Sequence, residues 1–206
     1  MIVRTYWFPG CLARPTGDLD SQLPTRNVHV EACRPRVFCI NPSLVPMQLT
    51  ALPLTSERLD LEPLTVDHAA EMVAVLADPA LYEFTGGGPP SEADLVARYE
   101  RQTSQPGWLN WVLRLRETGE LAGTIQATQK DDRSAELAWV VSTRFQGSGY
   151  AREGASAVID WLAANGVGTL HAHIHPDHAA SNALAARLGF ERTNAIKKGE
   201  IRWERG

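Results

Sequence analysis

An α+β domain, three layers deep with helices on both faces of a mixed sheet, is what this sequence predicts, and three observations carry that prediction. Strand-like and helix-like hydrophobic periods alternate from Arg58 onward. The run A-E-L-A-W-V-V, from Ala135 to Val141, is apolar on both faces except at Glu136, as a strand in the middle of a covered sheet is. A chain of 206 residues, 44% hydrophobic, is long enough for one substantial core but short for two well-buried domains.

Residues 1–46 stand apart from that alternation. They hold Pro9, Pro15, Pro24, Pro35, Pro42 and Pro46, six of the chain's 13 prolines, and no helical or alternating period persists between them. The segment reads as a poorly ordered or non-native extension, with the natural start at Met47 and the domain over residues 47–206. All three cysteines, Cys11, Cys33 and Cys39, fall in it. An odd number suits no complete disulfide framework, and a zinc site from Cys11, His29, Cys33 and Cys39 would have irregular spacing.

The elements follow in order. Leu59, Leu61 and Leu64 give the period of two of a first strand, after which Thr65 caps a helix carrying Ala69, Met72, Val73 and Leu76. Ala77 to Pro79 ends that helix, and the G-G-G-P-P run from Gly86 to Pro90 sustains neither regular element. Ser91, followed by Glu92 and Asp94, starts a second helix through about Gln102, which leaves the glycine run as a candidate lid between two helices. Trp108 to Arg116 reads as a strand, E-T-G-E at Glu117 to Glu120 as a hairpin turn, and Leu121 to Thr128 as the returning strand. After the polar loop K-D-D-R-S comes the central strand. Ala151, Ala155, Val158, Ile159 and Leu162 mark one face of the next helix. Leu170, Ala172 and Ile174 form another strand, Ala180, Leu184 and Leu188 another helix, and Phe190 to Arg202 a closing hairpin.

A net charge of −4 gives no basic field for nucleic acid or anionic membrane. No apolar run reaches the roughly 18 to 20 residues of a membrane span, and the first twelve residues lack the order of a secretory signal. A soluble cytoplasmic protein, monomeric or a homodimer, is the expectation.

Between the central strand and its following helix lies S-T-R-F-Q-G-S-G-Y-A-R-E, Ser142 to Glu153. A helix N-terminus presents unpaired N–H groups and roughly half a positive charge, so a Gly-x-Gly turn before it lets a pyrophosphate approach the backbone. The glycines alone fit an ordinary strand-to-helix turn equally well. The loop lacks the G-K-[ST] of a Walker loop and the third glycine of a Rossmann fingerprint.

In this stretch the sequence resembles the GCN5-related N-acetyltransferase (GNAT) superfamily, and within it the ribosomal-protein N-terminal acetyltransferase-like (RimJ/RimL-type) branch. The resemblance covers about Leu54 to Trp203. The signature R/Q-x-x-G-x-G/A is read at Arg144, Phe145, Gln146, Gly147, Ser148 and Gly149, followed by Tyr150 and Ala151; A-E-L-A-W-V-V precedes it. Further on, His178, Ala179, Ala180 and Ser181 match H-x-x-S, and Arg187 to Phe190 match R-L-G-F. The resemblance implies a mostly antiparallel sheet with a central splayed strand pair. It implies acetyl-CoA as donor, with pyrophosphate on the backbone of Gln146 to Ala151 and the pantetheine arm alongside Trp139, Val140 and Val141. His178 stands where relatives often carry Asn, at a cofactor contact, and Ala185 where many carry an acidic tyrosine.

Acetyl transfer to an amine needs a proton acceptor for the ammonium form and a donor for the tetrahedral oxyanion. Glu136 is the acidic residue best placed as acceptor, directly or through a water; a solvated strand-end carboxylate is the plain alternative. With Ala185 in place of the tyrosine, Ser181 is the substitute acid for the departing thiolate, or else a helix cap or cofactor contact. A thiol with pKa about 8.5 is already a tolerable leaving group. His171, His173 and His175 alternate along one strand and are expected to share a face near His178, as solvent-facing or acceptor-side residues rather than a metal site. Glu83, Phe84 and Trp111, with Tyr82 and Trp108, are expected around the acceptor pocket, although such aromatics are as often core.

The sequence thus predicts an N-acetyltransferase moving acetyl from acetyl-CoA directly to a small amine or a protein N-terminus, with no metal and no nucleic acid. A non-catalytic acyl-CoA-binding or regulatory module is the alternative.

Overall fold

The computed structural model describes residues 48–206. The expectations for the first 46 residues, the start at Met47 and the Cys11/His29/Cys33/Cys39 set lie outside the described residues.

The predicted alternation becomes one sheet of eight strands among the described residues. A short strand β1 (Leu54–Thr55), which the hydrophobic pattern does not announce, pairs with β2 (Leu59–Pro63), where Leu59 and Leu61 point into the core. Then come β3 (Trp108–Leu115), β4 (Leu121–Asp131), β5 (Ser134–Val141), β6 (Thr169–Ile174), β7 (Glu191–Lys197) and β8 (Glu200–Arg205). Their order across the sheet is β1-β2-β3-β4-β5-β6-β8-β7, and every neighbouring pair is antiparallel except β5 with β6.

The β4–β5 connection is tighter than the polar run K-D-D-R-S suggests. Lys130 and Asp131 belong to β4, and the Asp131 carboxylate closes the turn by accepting from Arg133 N at 2.9 Å and Ser134 Oγ at 2.7 Å. Lys130 is thereby held on the sheet beside Glu136.

Helices cover both faces. Thr65 opens a 3-10 turn (Val66–His68) leading into α1 (Ala69–Val75). Ser91 caps α2 (Glu92–Ser104): its hydroxyl accepts from Asp94 N at 3.2 Å while the Asp94 carboxylate accepts from Ser91 N at 3.0 Å. Met72, Val75, Leu95 and Tyr99 from these two helices pack on Val112 and Leu121. On the other face, α3 (Tyr150–Ala164) and α4 (Ala179–Arg187) set Ala155, Val158, Leu162 and Leu184 against Leu113, Ile125, Leu137 and Trp139. No helix among the described residues is long and apolar enough to cross a membrane.

The feature that shapes the site is the brevity of the one parallel pairing. Strand β5 has eight residues and β6 six, yet only Ser134–Thr169, Ala135–Leu170 and Glu136–His171 are partners. From Leu137 and Ala172 onward the two strands part. The splayed pair implied by the resemblance is present.

On its other edge β5 is held closely by β4. Gly123 pairs with Val141, and a Cβ at Gly123 would collide with the Val140 carbonyl oxygen and lie 2.9 Å from Val141 Cα. Only glycine keeps β4 against the end of β5, from which the glycine loop departs. Gly123→Ala is expected to destabilise the domain by about 3 kcal/mol, the upper range of overpacking where backbone rather than side chain must yield. Urea unfolding checks this as a lowered midpoint at unchanged slope.

Candidate active site

The glycine loop adopts the geometry its composition anticipates. After Val141 a 3-10 turn (Thr143–Phe145) leads to Gln146, whose Nε2 donates to Val141 O at 3.0 Å and closes the end of the strand. Gly147 and Gly149 have φ of +81° and +85°, in the left-handed region that disfavours side chains, and Gly149 is the N-cap of α3. Nothing lies within 4 Å of the place a Gly147 Cβ would occupy. The amides from Gly147 to Arg152 find no acceptor among the described residues. Six successive donors at a helix N-terminus, beside bare glycine backbone, form a cradle for an anion.

A residue that sequence reasoning missed holds this cradle in place. Arg58, just ahead of β2, donates from Nη1 to Ser148 O at 3.0 Å and from Nε to Glu153 at 2.7 Å, and its guanidinium lies 4.6 Å over the Tyr150 ring. Glu153 also accepts from Ser56 Oγ and from Arg58 N, both at 2.7 Å. Burial pushes the Glu153 carboxyl up, but the Ser56 and Arg58 donors outweigh it and leave the pKa below its ordinary value. Arg144, expected at the cofactor, instead extends over the surface to Glu120 at 2.6 Å and over the Phe145 ring. Ala151 and Tyr150 are half-buried at the start of the helix.

Where β5 and β6 part, Glu136 is 4% exposed and held on both sides. Lys130 Nζ lies 2.9 Å from Oε2, and His173 Nδ1 lies 3.3 Å from Oε1, an ion-pair distance outside hydrogen-bond geometry. Burial alone would raise this carboxyl; His173 and Lys130 outweigh it and bring its pKa down to about 2. Both residues line an open pocket of about 470 Å³ with Lys130, Ser134, His171, Arg202 and residues 195–197 of β7. His171 meets Arg202 Nη2 at 3.0 Å, and burial together with that guanidinium pushes its pKa down.

The three alternating histidines do not stay together. His175 lies past the end of β6 and meets Phe84, with ring centroids 5.3 Å apart. Phe84 also stacks on His178 at 4.6 Å. His178 is the N-cap of α4, and burial takes its pKa down to about 4, so the imidazole is neutral near neutral pH. The segment leading to the candidate lid, Asp78 to Phe84, therefore reaches both sides of the parting strands. Asp78 Oδ2 accepts from Thr143 Oγ1 at 2.6 Å on the β5 side, while Phe84 rests on His175 and His178 on the β6 side.

Ser181 is fully buried in the first turn of α4, and its hydroxyl has no partner among the described residues; the buried Trp139 indole N–H has none there either. Val141 is buried and Val140 half-buried. Glu83 is exposed at the foot of the lid. Trp111 lies in the core rather than in a pocket: it is fully buried, its Nε1 donates to Leu52 O at 2.7 Å, and it meets Trp161 edge-on. Tyr82 donates to Leu76 O, and Trp108 borders a separate recess beside the end of α2. Among the described residues no three His, Cys, Asp or Glu side chains converge as a metal site.

The low pKa of Glu136 makes a stability prediction. A carboxyl depressed in the folded state stabilises above its unfolded value, near 4.5, and that contribution is lost as pH falls toward about 2. The stability difference between the wild type and Glu136→Gln is expected to shrink by on the order of 3 kcal/mol between pH 6 and pH 2, measured by chemical denaturation.

Comparison with known proteins agrees with this geometry. Residues 58–191 match the family model described as an acetyltransferase (GNAT) domain. The Bacillus subtilis N-acetyltransferase YoaA is 23% identical over 152 residues, covering 70% of this chain and 86% of the relative. Among solved structures, an acetyltransferase from Agrobacterium tumefaciens superposes with a TM-score of 0.64 at 24% identity, over 78% of this chain and 97% of that one. The ribosomal-protein α-N-acetyltransferase RimL, solved in complex with coenzyme A, superposes with a TM-score of 0.65 at 17% identity, over 75% and 97%.

Proposed function

This chain belongs to the acetyltransferase (GNAT) family and is an acyltransferase, and from that premise we propose that it moves acetyl from acetyl-CoA to a primary amine by direct attack within a ternary complex. The observation that carries the reading is the parting of β5 and β6 after Glu136 and His171, next to the unpaired amides of Gly147 to Arg152. One part of the fold offers an unpaired strand edge. The next offers anion-binding donors.

Those donors suit the pyrophosphate of a CoA ester, with Gly147 and Gly149 keeping the backbone bare and Arg58 fixing the loop from behind. The edge of β5 from Leu137 to Val140, which β6 leaves, suits an amide-bearing arm, which pairs with a strand as another strand would. The orphan hydroxyl of Ser181 and indole N–H of Trp139 also fit a ligand here, since a buried donor without a partner costs about 1–3 kcal/mol until one arrives. In this reading Ser181 serves the departing sulfur, in place of the tyrosine that Ala185 displaces. The neutral His178 and Phe84 close the β6 side.

The acceptor amine approaches from the pocket that Glu136, His171 and His173 line. At neutral pH Glu136 is an anion already matched to Lys130, so its part is to hold positive charge at the acceptor side rather than to keep a proton. A small amine and a protein N-terminus both meet the chemical requirement. Among the described residues no cysteine is present to form an acyl-enzyme.

A thiol-release screen of acetyl-CoA against small amines and N-terminal peptides tests the reading. Turnover of at least one amine is expected; tight CoA binding without turnover on any would favour a non-catalytic binding module. Gly147→Val and Gly149→Val are expected to weaken CoA binding by about tenfold or more, one or two charge-assisted hydrogen bonds' worth, while the domain remains folded. Titration calorimetry reads the affinity and circular dichroism the fold; unchanged affinity would return the loop to an ordinary turn.

A further inference from the structure

We propose that the acceptor is an amine that also carries a carboxylate, and that Arg202 holds this carboxylate in the pocket beside Glu136. The inference rests on the transferase reading above and names the class of acceptor within it. Register places the two residues on one face of the sheet. Glu136 of β5 is opposite His171 of β6, and two residues further along β6 His173 is opposite Arg202 of β8. His173 is also 3.3 Å from Glu136 Oε1, so Glu136 and Arg202 stand one side chain apart on the wall of the same pocket of about 470 Å³.

The hydrogen-bonding capacity that the protein leaves unused here belongs to a cation. Asp131 accepts through both oxygens within its own turn, and Glu136 takes Lys130 on Oε2 and faces His173 with Oε1. Arg202, by contrast, makes its contacts among the described residues through Nη2: with the His171 ring nitrogens at 3.0 and 3.1 Å, and with Glu204 at 3.2 Å. Its Nε is buried and has no acceptor among the described residues. An unmatched buried guanidinium N–H is costly, and an anion entering the pocket relieves it. Burial, with the guanidinium second, pushes the His171 pKa down, so that ring is largely neutral near neutral pH and leaves the charge to Arg202. On the β4 side, Lys130 is 45% exposed toward solvent and supplies a second cation that a ligand can reach.

A carboxylate matches this lining in shape and in charge. Its two oxygens suit the planar fork of a guanidinium, and Lys130 adds a point charge. The nitrogen of the same molecule is drawn toward Glu136. With one side chain between Glu136 and Arg202, the nitrogen and the carboxylate stand a few bonds apart, as in an amino acid or a peptide N-terminus with an acidic side chain next to it. A polyamine would instead bring a second positive charge against Arg202 and Lys130.

The experiment is a set of matched acceptors in the thiol-release assay, each compared at equal concentration of its neutral amine. L-amino acids are set against their primary amides, N-terminal peptides with Asp at the second position against those with Asn, and spermidine against both. The carboxylate is expected to raise kcat/KM by about tenfold or more, chiefly through KM, as one charge-assisted hydrogen bond does. The pair that shows the gain tells whether a small molecule or a peptide brings the carboxylate. Arg202→Gln is expected to shrink that ratio to within about twofold, a selective change that a general loss of structure would not give. If Arg202→Gln fails to fold, judged by CoA affinity and thermal midpoint, the wild-type ratio decides, together with Arg202→Lys, which should keep part of the preference. A wild-type ratio under about threefold, spermidine as the better acceptor, or a ratio unchanged in folded Arg202→Gln overturns the assignment and leaves the transferase reading standing. A wild type that binds CoA and acetylates no amine overturns the transferase reading itself, and with it this one.

Discussion

Everything proposed for this protein depends on one pairing that stops early. Three residue pairs join β5 to β6, and the last of them is Glu136 with His171. Had the two strands remained paired to their ends, the β6-side backbone of Leu137 to Val140 would be satisfied within the sheet, and the core would close over it. Because they part, an edge in the middle of the sheet is left without a strand, although central edges are normally covered. The gap also aligns the parts of the site: the loop cradle follows the end of β5, α4 follows β6, and Glu136 with His173 stands at the fork.

Two electrostatic arrangements support it, and they differ in kind. The Arg58–Glu153 pair at the cradle is partly exposed, so its ion-pair attraction is screened and its value lies in geometry. Through Nη1, Arg58 also fixes the Ser148 carbonyl in the middle of the loop. The Lys130–Glu136–His173 arrangement is buried on the carboxylate side, where removing one partner leaves an uncompensated charge. Buried charge of this sort is costly for folding alone, which makes its placement at the fork informative about function.

The elements themselves were legible from local pattern. Ser91 with Asp94 announced α2, the apolar run with one glutamate announced β5, and the Gly-x-Gly pattern announced the strand-to-helix turn ahead of α3, because each signal is contained within a few residues. What escaped reading is long-range. Arg58 meets a glutamate 95 residues away, and no local period encodes that contact. Trp111 looked like a pocket aromatic, yet its face of β3 is covered by α3, which sheet register decides and composition does not. Alternation put His171, His173 and His175 on one face, but the strand ended at Ile174 and sent His175 to Phe84. Lys130 was read as loop because its neighbours are polar, whereas the Asp131 turn keeps it on β4 beside Glu136.

The most direct test of the central claim is hydrogen exchange of the backbone amides with and without CoA. If the fork and the loop together receive the CoA moiety, adding it should slow exchange at Gly147 to Arg152 and along Leu137 to Val141, with little change on β1 and β2. Protection confined to another region, or none at these two segments under saturating CoA, would contradict the account.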